Sequence, residues 1–176
     1  MLHYGFGHER NKRILKWEWM LKYVNHEVVF AEIPDEISLA INISNCPCKC
    51  PGCHSPYLAE DIGTLLTQRK LKEILEENKG ITCVCFMGGD LEPHYINTLA
   101  KQVKETTDLK VGWYSGRQLL SEDIDPKWFD FIKVGPYVEQ FGPLNNPNTN
   151  QIMYKVVHES GKDVLLNITN KFWKES

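Results

Sequence analysis

Several features are scarce in this 176-residue chain, and each absence argues against a class of protein. No apolar run approaches the roughly 20 residues that a membrane-spanning helix needs. Twenty Lys and Arg nearly balance 23 Asp and Glu, for a formal net charge of −3, and no basic stripe interrupts that balance. The sequence therefore predicts no membrane partner and no nucleic-acid partner.

A secretory signal is also missing from the beginning of the chain, although the sequence contains six cysteines. Cysteines without such a signal indicate a reducing compartment, where thiols serve metals or catalysis more often than disulfides. We therefore expect a cytoplasmic protein with a use for its thiols other than disulfide bonds.

Residues 1–19 differ from the rest of the chain. They are rich in Lys, Arg and His, contain Trp17 and Trp19, and show little periodicity. Two interpretations stay open: an N-terminal extension before an alternative start at Met20, or an ordinary amphipathic helix. The remaining residues, 20–176, have the length of a single domain with a sizeable core.

Four of the six cysteines lie within residues 46–53. Cys46, Cys50 and Cys53 have the spacing Cys-x₃-Cys-x₂-Cys. Three thiolates from one loop can hold three irons of a 4Fe–4S cluster and leave the fourth iron without a protein ligand. An iron with an open position is a place for chemistry. Cys48 lies between two of these residues, and spacing alone leaves it as a free thiol or an alternative ligand.

A structural zinc site is the alternative interpretation of the same loop. Zinc takes four ligands, often as two pairs from separate loops. The second pair would be Cys83 with Cys85, or His54 with His94. The pattern at residues 81–86 instead indicates a buried strand, and free cysteine is among the most buried residue types.

Strand and helix patterns alternate along the chain. Apolar spacing predicts helices over 67–78 and 93–106, a short helical stretch around 126–129, and strands over 28–33, 38–43, 81–87, 109–114 and 131–134. A late strand pair, 151–157 and 163–168, has a turn at 160–161. This alternation predicts an α/β fold with right-handed βαβ units and mostly parallel strands.

The chain is too short for a complete eight-fold barrel, which needs at least about 200 residues. We therefore expect an incomplete, open βα barrel. Its strands end at the cysteine loop, at Gly88-Gly89, at Ser115-Gly116 and at Gly135-Pro136. The cysteine loop is thus predicted at the carboxyl-end edge of the sheet, where barrel-type folds build their sites.

The three cysteines together with Met87-Gly88-Gly89-Asp90 resemble the radical S-adenosylmethionine superfamily. Within it, the chain is similar to the anaerobic ribonucleoside-triphosphate reductase activating proteins. The narrower resemblance rests on five segments: 50–54, 88–90, 113–116, 133–137 and 149–151.

The resemblance implies a cofactor, a reaction and partners. S-adenosylmethionine would bind the open iron through its amino and carboxylate groups, and reductive cleavage would give methionine and a 5′-deoxyadenosyl radical. That radical would take a hydrogen atom from one glycine of the anaerobic ribonucleotide reductase, leaving a glycyl radical. The electron would come from a flavodoxin or a ferredoxin.

The resemblance also implies roles for residues at the strand ends. Cys46, Cys50 and Cys53 would be the iron ligands. The cofactor-binding candidates are Gly88 and Gly89, with backbone atoms near the methionine amino group; Asp90, which holds the same group or caps the following helix; and Ser115 and Lys133, near the ribose or carboxylate. His54 tunes the cluster or lies on the surface of the loop.

A polar loop follows the strand predicted over 131–134, near the predicted site. Tyr137, Phe141 and the Asn-rich stretch 142–150 would receive a peptide or form a solvated connector. A different small radical S-adenosylmethionine enzyme, acting on another glycyl radical enzyme or a small molecule, is one alternative. A structural or electron-transfer metal protein with four protein ligands is the other.

Overall fold

A computed structural model describes residues 20–159 and 161–173 of the chain. These residues form one eight-stranded sheet, two α-helices and three short 3₁₀ helices. The predicted extension 1–19 lies outside the described residues. The strands are β1 (Lys22–Val29), β2 (Ser38–Ile43), β3 (Thr64–Leu65), β4 (Cys83–Met87), β5 (Lys110–Tyr114), β6 (Phe131–Val134), β7 (Ile152–Glu159) and β8 (Lys162–Asn167). The α-helices are α1 (Gln68–Glu77) and α2 (Pro93–Thr106), and the 3₁₀ helices are Pro56–Ala59, Pro126–Trp128 and Thr169–Phe172.

The sheet is mixed, and the prediction of an open βα barrel with mostly parallel strands is wrong. The strand order is β3-β1-β2-β4-β5-β6-β7-β8. Strands β2, β4, β5 and β6 pair in parallel. The pairs β1–β2, β1–β3, β6–β7 and β7–β8 are antiparallel.

The connections explain where the strand direction changes. A parallel pair needs a crossover, and α1 and α2 provide the crossovers from β2 to β4 and from β4 to β5. Strands β1 and β2 are joined by a short irregular segment, and β7 and β8 by a tight turn, so these pairs are antiparallel. Segment 135–151 carries no helix and returns the chain antiparallel to β6. The apolar pattern of a strand does not reveal its direction. The alternation of strands and helices therefore predicted parallel pairing also on the two flanks of the sheet, where the strands are antiparallel.

The first strand also differs from its prediction. A strand was expected over 28–33, whereas β1 covers Lys22–Val29 and the chain then turns away through 30–37. Asp35 has a φ of 67°, which is incompatible with an extended strand. Ile33 is fully buried on the sheet although it lies outside any strand, which is why its segment had a strand-like pattern.

The two helices were predicted correctly from their apolar spacing. Helix α2 has the predicted bounds, and α1 begins one residue later than expected because Thr67 is its N-cap. The Thr67 hydroxyl accepts a hydrogen bond from the Lys70 backbone N–H at 3.0 Å, satisfying a donor that the first turn leaves unpaired. Neither helix in the described ranges has the length and apolar character of a transmembrane segment.

Side chains alternate between the two faces of the central strands, as expected for a sheet buried on both sides. One face packs against both helices in the larger core cluster. The strands contribute to that cluster through Leu39, Ile41, Val84, Phe86, Val111, Trp113 and Ile132, and the helices through Leu71, Ile74, Ile96, Leu99, Ala100 and Val103. The opposite face carries a smaller cluster, which includes Ile33, Cys83, Cys85, Phe131, Leu144 and Met153.

The parallel pairing aligns the carboxyl ends of four strands. Asn42 of β2 pairs with Met87 of β4, Met87 with Tyr114 of β5, and Tyr114 with Lys133 of β6. The residues that follow each strand therefore meet at one edge. The predicted position of the cysteine loop, at the carboxyl-end edge, agrees with this register.

We predict that Phe86→Ala destabilises the protein by about 3–5 kcal/mol, because it leaves a cavity between the sheet and the helices. Phe86 is fully buried, whereas Phe30 is 74% exposed and provides a matched control. Phe30→Ala should change the free energy of unfolding by less than about 0.5 kcal/mol. Urea unfolding of both variants measures the difference, and equal midpoints would contradict this description of the core.

Candidate metal centre

The cysteine loop is a closed loop that leaves the sheet at the end of β2. Its base is held by two backbone hydrogen bonds: Asn45 N–H donates to Glu60 O at 3.0 Å, and Cys46 N–H to Leu58 O at 2.8 Å. The Ser44 hydroxyl donates to Ile62 O at 2.6 Å beside them. These bonds fix both ends of the loop, so its thiols have a defined position relative to the sheet.

All four thiols of the loop are free and partly exposed. Cys46, Cys48, Cys50 and Cys53 form no disulfide and have intermediate exposure. The backbone bends sharply between them, because Lys49 and Gly52 have φ angles of 44° and 72°. The Cys53 N–H donates to Cys50 O at 3.2 Å, which closes the second turn. A loop that turns this tightly presents its thiols from a short stretch of chain.

The residues proposed as a second zinc pair lie in other environments. Cys83 and Cys85 are fully buried on β4, as the sequence predicted. The His54 ring lies 5.2 Å from the Tyr137 ring, and His94 Nδ1 lies 3.3 Å from Glu92 Oε2. Within the described residues, none of these four side chains lies with the loop cysteines in a group of ligand atoms close enough to hold one metal ion. The structure therefore gives the zinc interpretation no second pair.

One group of potential metal ligands is found in the described ranges. It contains Cys46, Cys48 and Asp90, whose ligand atoms all lie within 4.8 Å of one another. Cys50 and Cys53 do not belong to it. The structure thus places one of the three predicted iron ligands in this group, and the register Cys46, Cys50 and Cys53 stays a prediction.

Asp90 joins the ends of three segments. Its Oδ1 accepts a hydrogen bond from the Ser115 hydroxyl at 2.6 Å, and its Oδ2 accepts one from the Gly116 N–H at 2.8 Å. Cys48 Sγ lies 4.0 Å from the same Oδ2. Asp90 is fully buried, so these partners replace the water that a carboxylate needs. It does not cap the following helix, because Glu92 is the N-cap residue of α2.

Arg117 belongs to this network, and sequence reasoning missed it. Its Nη2 donates to the Asp90 carbonyl at 2.6 Å, and its Nε lies 3.8 Å from Asp90 Oδ1. The only available signal was its position directly after Ser115-Gly116 at the end of β5. Gly116 lies close to the loop, and a Cβ there would lie 2.7 Å from Cys48 Sγ, so a larger residue would displace that thiol.

Burial raises the pKa of the Cys48 thiol to about 12, and the Asp90 carboxylate and the neighbouring thiols add to the increase. All of these contributions disfavour a thiolate at this position. Cys48 is therefore protonated at neutral pH unless a cation binds beside it.

The predicted glycine pair has strong internal contacts. Gly88 and Gly89 have φ angles of 97° and 90°, which side-chain-bearing residues rarely adopt. The Gly88 carbonyl accepts a hydrogen bond from Trp113 Nε1 at 2.8 Å. A Cβ on Gly89 would lie 2.5 Å from Ile96 Cδ1, so a larger residue there would displace the Ile96 side chain in addition to straining the backbone. Each carbonyl oxygen has a second lone pair, which can accept a further hydrogen bond.

The other two cofactor candidates lie beside Asp90. Ser115 is buried, and its hydroxyl is engaged with Asp90. Lys133 is also buried, and its Nζ donates to Gly135 O at 2.6 Å and Ser115 O at 3.4 Å. Burial lowers the pKa of Lys133 to about 8, and the nearby Asp90 carboxylate opposes part of that decrease. The structure thus brings Asp90, Ser115 and Lys133 together at the edge that carries the loop.

The segment after β6 contacts the cysteine loop. A Cβ on Gly52 would lie 3.3 Å from Tyr137 Cε1, and the His54 ring packs against the Tyr137 ring. Farther along, Pro143, Asn145, Asn146 and Pro147 line an open pocket of about 430 Å³. Tyr137 therefore supports the loop, whereas the peptide-binding role of 142–150 stays a prediction.

The donor set of the loop fits an iron–sulfur cluster. Its four partly exposed thiols form no disulfide and are the soft ligands that such clusters take. Backbone hydrogen bonds fix the base of the loop, and the thiols lie in the turns beyond it. A family model described as a 4Fe-4S single cluster domain matches residues 37–134, more than half of the chain. The protein belongs to this family and is an iron–sulfur protein. The comparisons with curated proteins and with solved structures give no match.

We predict that Lys133→Met changes the pH dependence of stability. The pKa of Lys133 is about 8 in the folded protein and 10.5 as the unfolded reference, so the unfolded chain binds more protons between these values. The free energy of unfolding of the unmodified protein should therefore rise between about pH 8 and 10.5 relative to that of the variant, by at most about 3 kcal/mol. Urea unfolding of both proteins at pH 7 and pH 10 measures the difference. Parallel pH profiles would show that the buried amine does not titrate as stated.

Proposed function

We propose that this iron–sulfur protein is a radical S-adenosylmethionine activase that forms a glycyl radical on an anaerobic ribonucleotide reductase in the cytoplasm. One observation carries the proposal. The Cys46, Cys50 and Cys53 loop, inside a 4Fe-4S family domain, leaves the sheet at the same edge as Gly88-Gly89. A cluster held by three thiolates has an iron available for a second molecule.

When bound, the reduced cluster and S-adenosylmethionine supply a 5′-deoxyadenosyl radical. The chain would hold the cluster and S-adenosylmethionine in the correct relative orientation and exclude competing hydrogen donors. In the proposal, Cys46, Cys50 and Cys53 bind three irons, and the closed base of the loop keeps those thiols at the sheet edge. In the proposal Cys48 is not an iron ligand, and the 4.0 Å separation of its Sγ from Asp90 Oδ2 supports a position beside the carboxylate.

The remaining candidates would orient S-adenosylmethionine. Gly88 and Gly89 would bring backbone atoms close to the methionine amino group. Ser115 follows β5 and Lys133 lies on β6, where a ribose hydroxyl or a carboxylate would meet them. Asp90 positions Ser115 through the 2.6 Å hydrogen bond, so its contribution is at least partly indirect.

The edge also has features suited to protein partners. Tyr57, Leu91 and Phe141 are large apolar side chains that are 41%, 44% and 39% exposed on segments at or near this edge. In the proposal, the segment of the reductase that carries the glycine docks against these side chains. Lys49 lies exposed between the cysteines, and a cation there suits an acidic flavodoxin or ferredoxin as electron donor.

A different small radical S-adenosylmethionine enzyme would use the same site on another substrate. A structural or electron-transfer protein would need a fourth protein ligand. Cys48, the remaining cysteine of the loop, would be the candidate. That alternative predicts a cluster that does not respond to S-adenosylmethionine.

We predict that anaerobic reconstitution with iron and sulfide gives a reducible 4Fe–4S cluster whose electron paramagnetic resonance signal changes when S-adenosylmethionine is added. Release of 5′-deoxyadenosine should accompany reduction. Adding the anaerobic reductase should then produce the doublet of a glycyl radical on that second chain.

Three outcomes separate the alternatives. A cluster that is insensitive to S-adenosylmethionine would contradict the activase and favour electron transfer. Cleavage of S-adenosylmethionine without a glycyl radical on the reductase would retain the superfamily and contradict this partner. Tight zinc binding without iron uptake would contradict the whole proposal.

We also predict which three cysteines of the loop bind the irons, namely Cys46, Cys50 and Cys53. Cys50→Ala should lose the cluster, because only two of its thiolates remain in place. Cys48→Ala is the matched control and should retain about four irons per chain and the cleavage activity. Iron and sulfide analysis of both variants checks this. Loss of the cluster in Cys48→Ala with retention in Cys50→Ala would reverse the register.

A further inference from the structure

Cys46, Cys48 and Asp90 lie close together, but the proposed function gives these three residues no joint role. Its three ligand atoms lie within 4.8 Å of one another, and they come from two different parts of the chain. Cys46 and Cys48 lie in the loop after β2, while Asp90 follows β4. The contact is therefore a product of the fold and is not visible in the cysteine spacing.

The separation of Cys48 Sγ from Asp90 Oδ2 is close to that of two ligands of one metal ion, and Cys46 Sγ lies within 4.8 Å of both. In a tetrahedral zinc site with bonds of about 2.3 Å to sulfur, neighbouring sulfur ligands lie about 3.8 Å apart, and an oxygen ligand lies slightly closer. Cys48 Sγ and Asp90 Oδ2 are 4.0 Å apart. A shift of a few tenths of an ångström would bring both atoms to bonding distance from one ion.

The carboxylate is available on the side that faces the thiols. Asp90 Oδ1 is engaged by Ser115, and the Arg117 guanidinium lies 3.8 Å from the same oxygen. Oδ2 has the Gly116 N–H as its partner and retains a lone pair toward Cys48. The hydrogen bonds from Ser115 and Gly116 hold the carboxylate in place, as partners of metal-binding carboxylates do elsewhere.

Access and charge also favour an ion. Cys46 and Cys48 are partly exposed, so a hydrated ion can reach the thiols from solvent, whereas Asp90 is fully buried behind them. Two thiolates and a carboxylate together would carry three negative charges. A divalent cation would neutralise two of these charges.

We propose that Cys46, Cys48 and Asp90 bind one divalent transition-metal ion of the Fe²⁺ or Zn²⁺ type in the cluster-free chain, with water as the fourth ligand. This site is distinct from the cluster but shares Cys46 with it. Occupation of the two sites is therefore mutually exclusive, and the ion must release Cys46 before a complete cluster forms. The inference requires no S-adenosylmethionine chemistry and goes beyond the proposed function.

Co²⁺ is the probe, because its thiolate complexes absorb in the near ultraviolet and its visible bands report tetrahedral geometry. The full chain, stripped of iron under anaerobic conditions, should bind one Co²⁺ with charge-transfer bands from two thiolates. Cys48→Ser and Asp90→Asn should each weaken binding by at least about tenfold, because each removes a ligand. Cys53→Ser is the matched control and should bind Co²⁺ within about twofold of the unmodified chain.

A second variant keeps every ligand and changes only their spacing. Gly116→Ala would place a Cβ 2.7 Å from Cys48 Sγ in the present geometry and would displace that thiol from Asp90. It should weaken Co²⁺ binding by about tenfold while far-ultraviolet circular dichroism stays unchanged.

The opposite pattern would overturn the inference. If Cys53→Ser weakened Co²⁺ binding and Asp90→Asn did not, the ion would be held by the cluster cysteines alone. Absence of any thiolate-to-cobalt band in the folded, unmodified chain would overturn it as well. Neither result bears on whether a reconstituted cluster responds to S-adenosylmethionine, so this inference and the proposed function can fail separately.

Discussion

The buried carboxylate of Asp90 is the contact on which the candidate site depends. It follows β4, binds the hydroxyl and backbone that follow β5, and lies against Cys48 of the loop that follows β2. A carboxylate buried without partners would be very costly, so the hydrogen bonds from Ser115 and Gly116 are needed to keep Asp90 at this position. One side chain therefore fixes three chain segments relative to one another.

The parallel centre of the sheet makes that contact possible. Strands β2, β4, β5 and β6 are in register at their carboxyl ends, and the antiparallel strands on both flanks extend the sheet beyond this centre. The cysteine loop, the glycine pair and Lys133 all belong to this edge. The family match over residues 37–134 covers this parallel centre and ends with β6, so the iron–sulfur domain and the structural centre coincide.

The sequence predicted local features well and long-range ones less well. Helix α2 and the buried strand β4 follow from apolar spacing, and the iron–sulfur chemistry follows from cysteine spacing. Strand direction in β7 and β8 depends on how the chain returns after 135–151, which spacing does not encode, and the barrel prediction failed there. Asp90 was predicted to hold the methionine amino group or to cap the following helix, and its hydrogen bonds to Ser115 and Gly116 were missed because those residues lie more than twenty positions away. Arg117 was missed because its only signal in the sequence is its position directly after Ser115-Gly116.

The central claim is that this iron–sulfur protein holds its cluster through three cysteines and leaves one iron free. Mössbauer spectroscopy of the protein reconstituted with ⁵⁷Fe, with and without S-adenosylmethionine, tests that claim directly. The account predicts one iron distinguishable from the other three, and a change at that iron alone when S-adenosylmethionine is added. Four irons that are all bound by protein thiolates and do not respond to S-adenosylmethionine would contradict it.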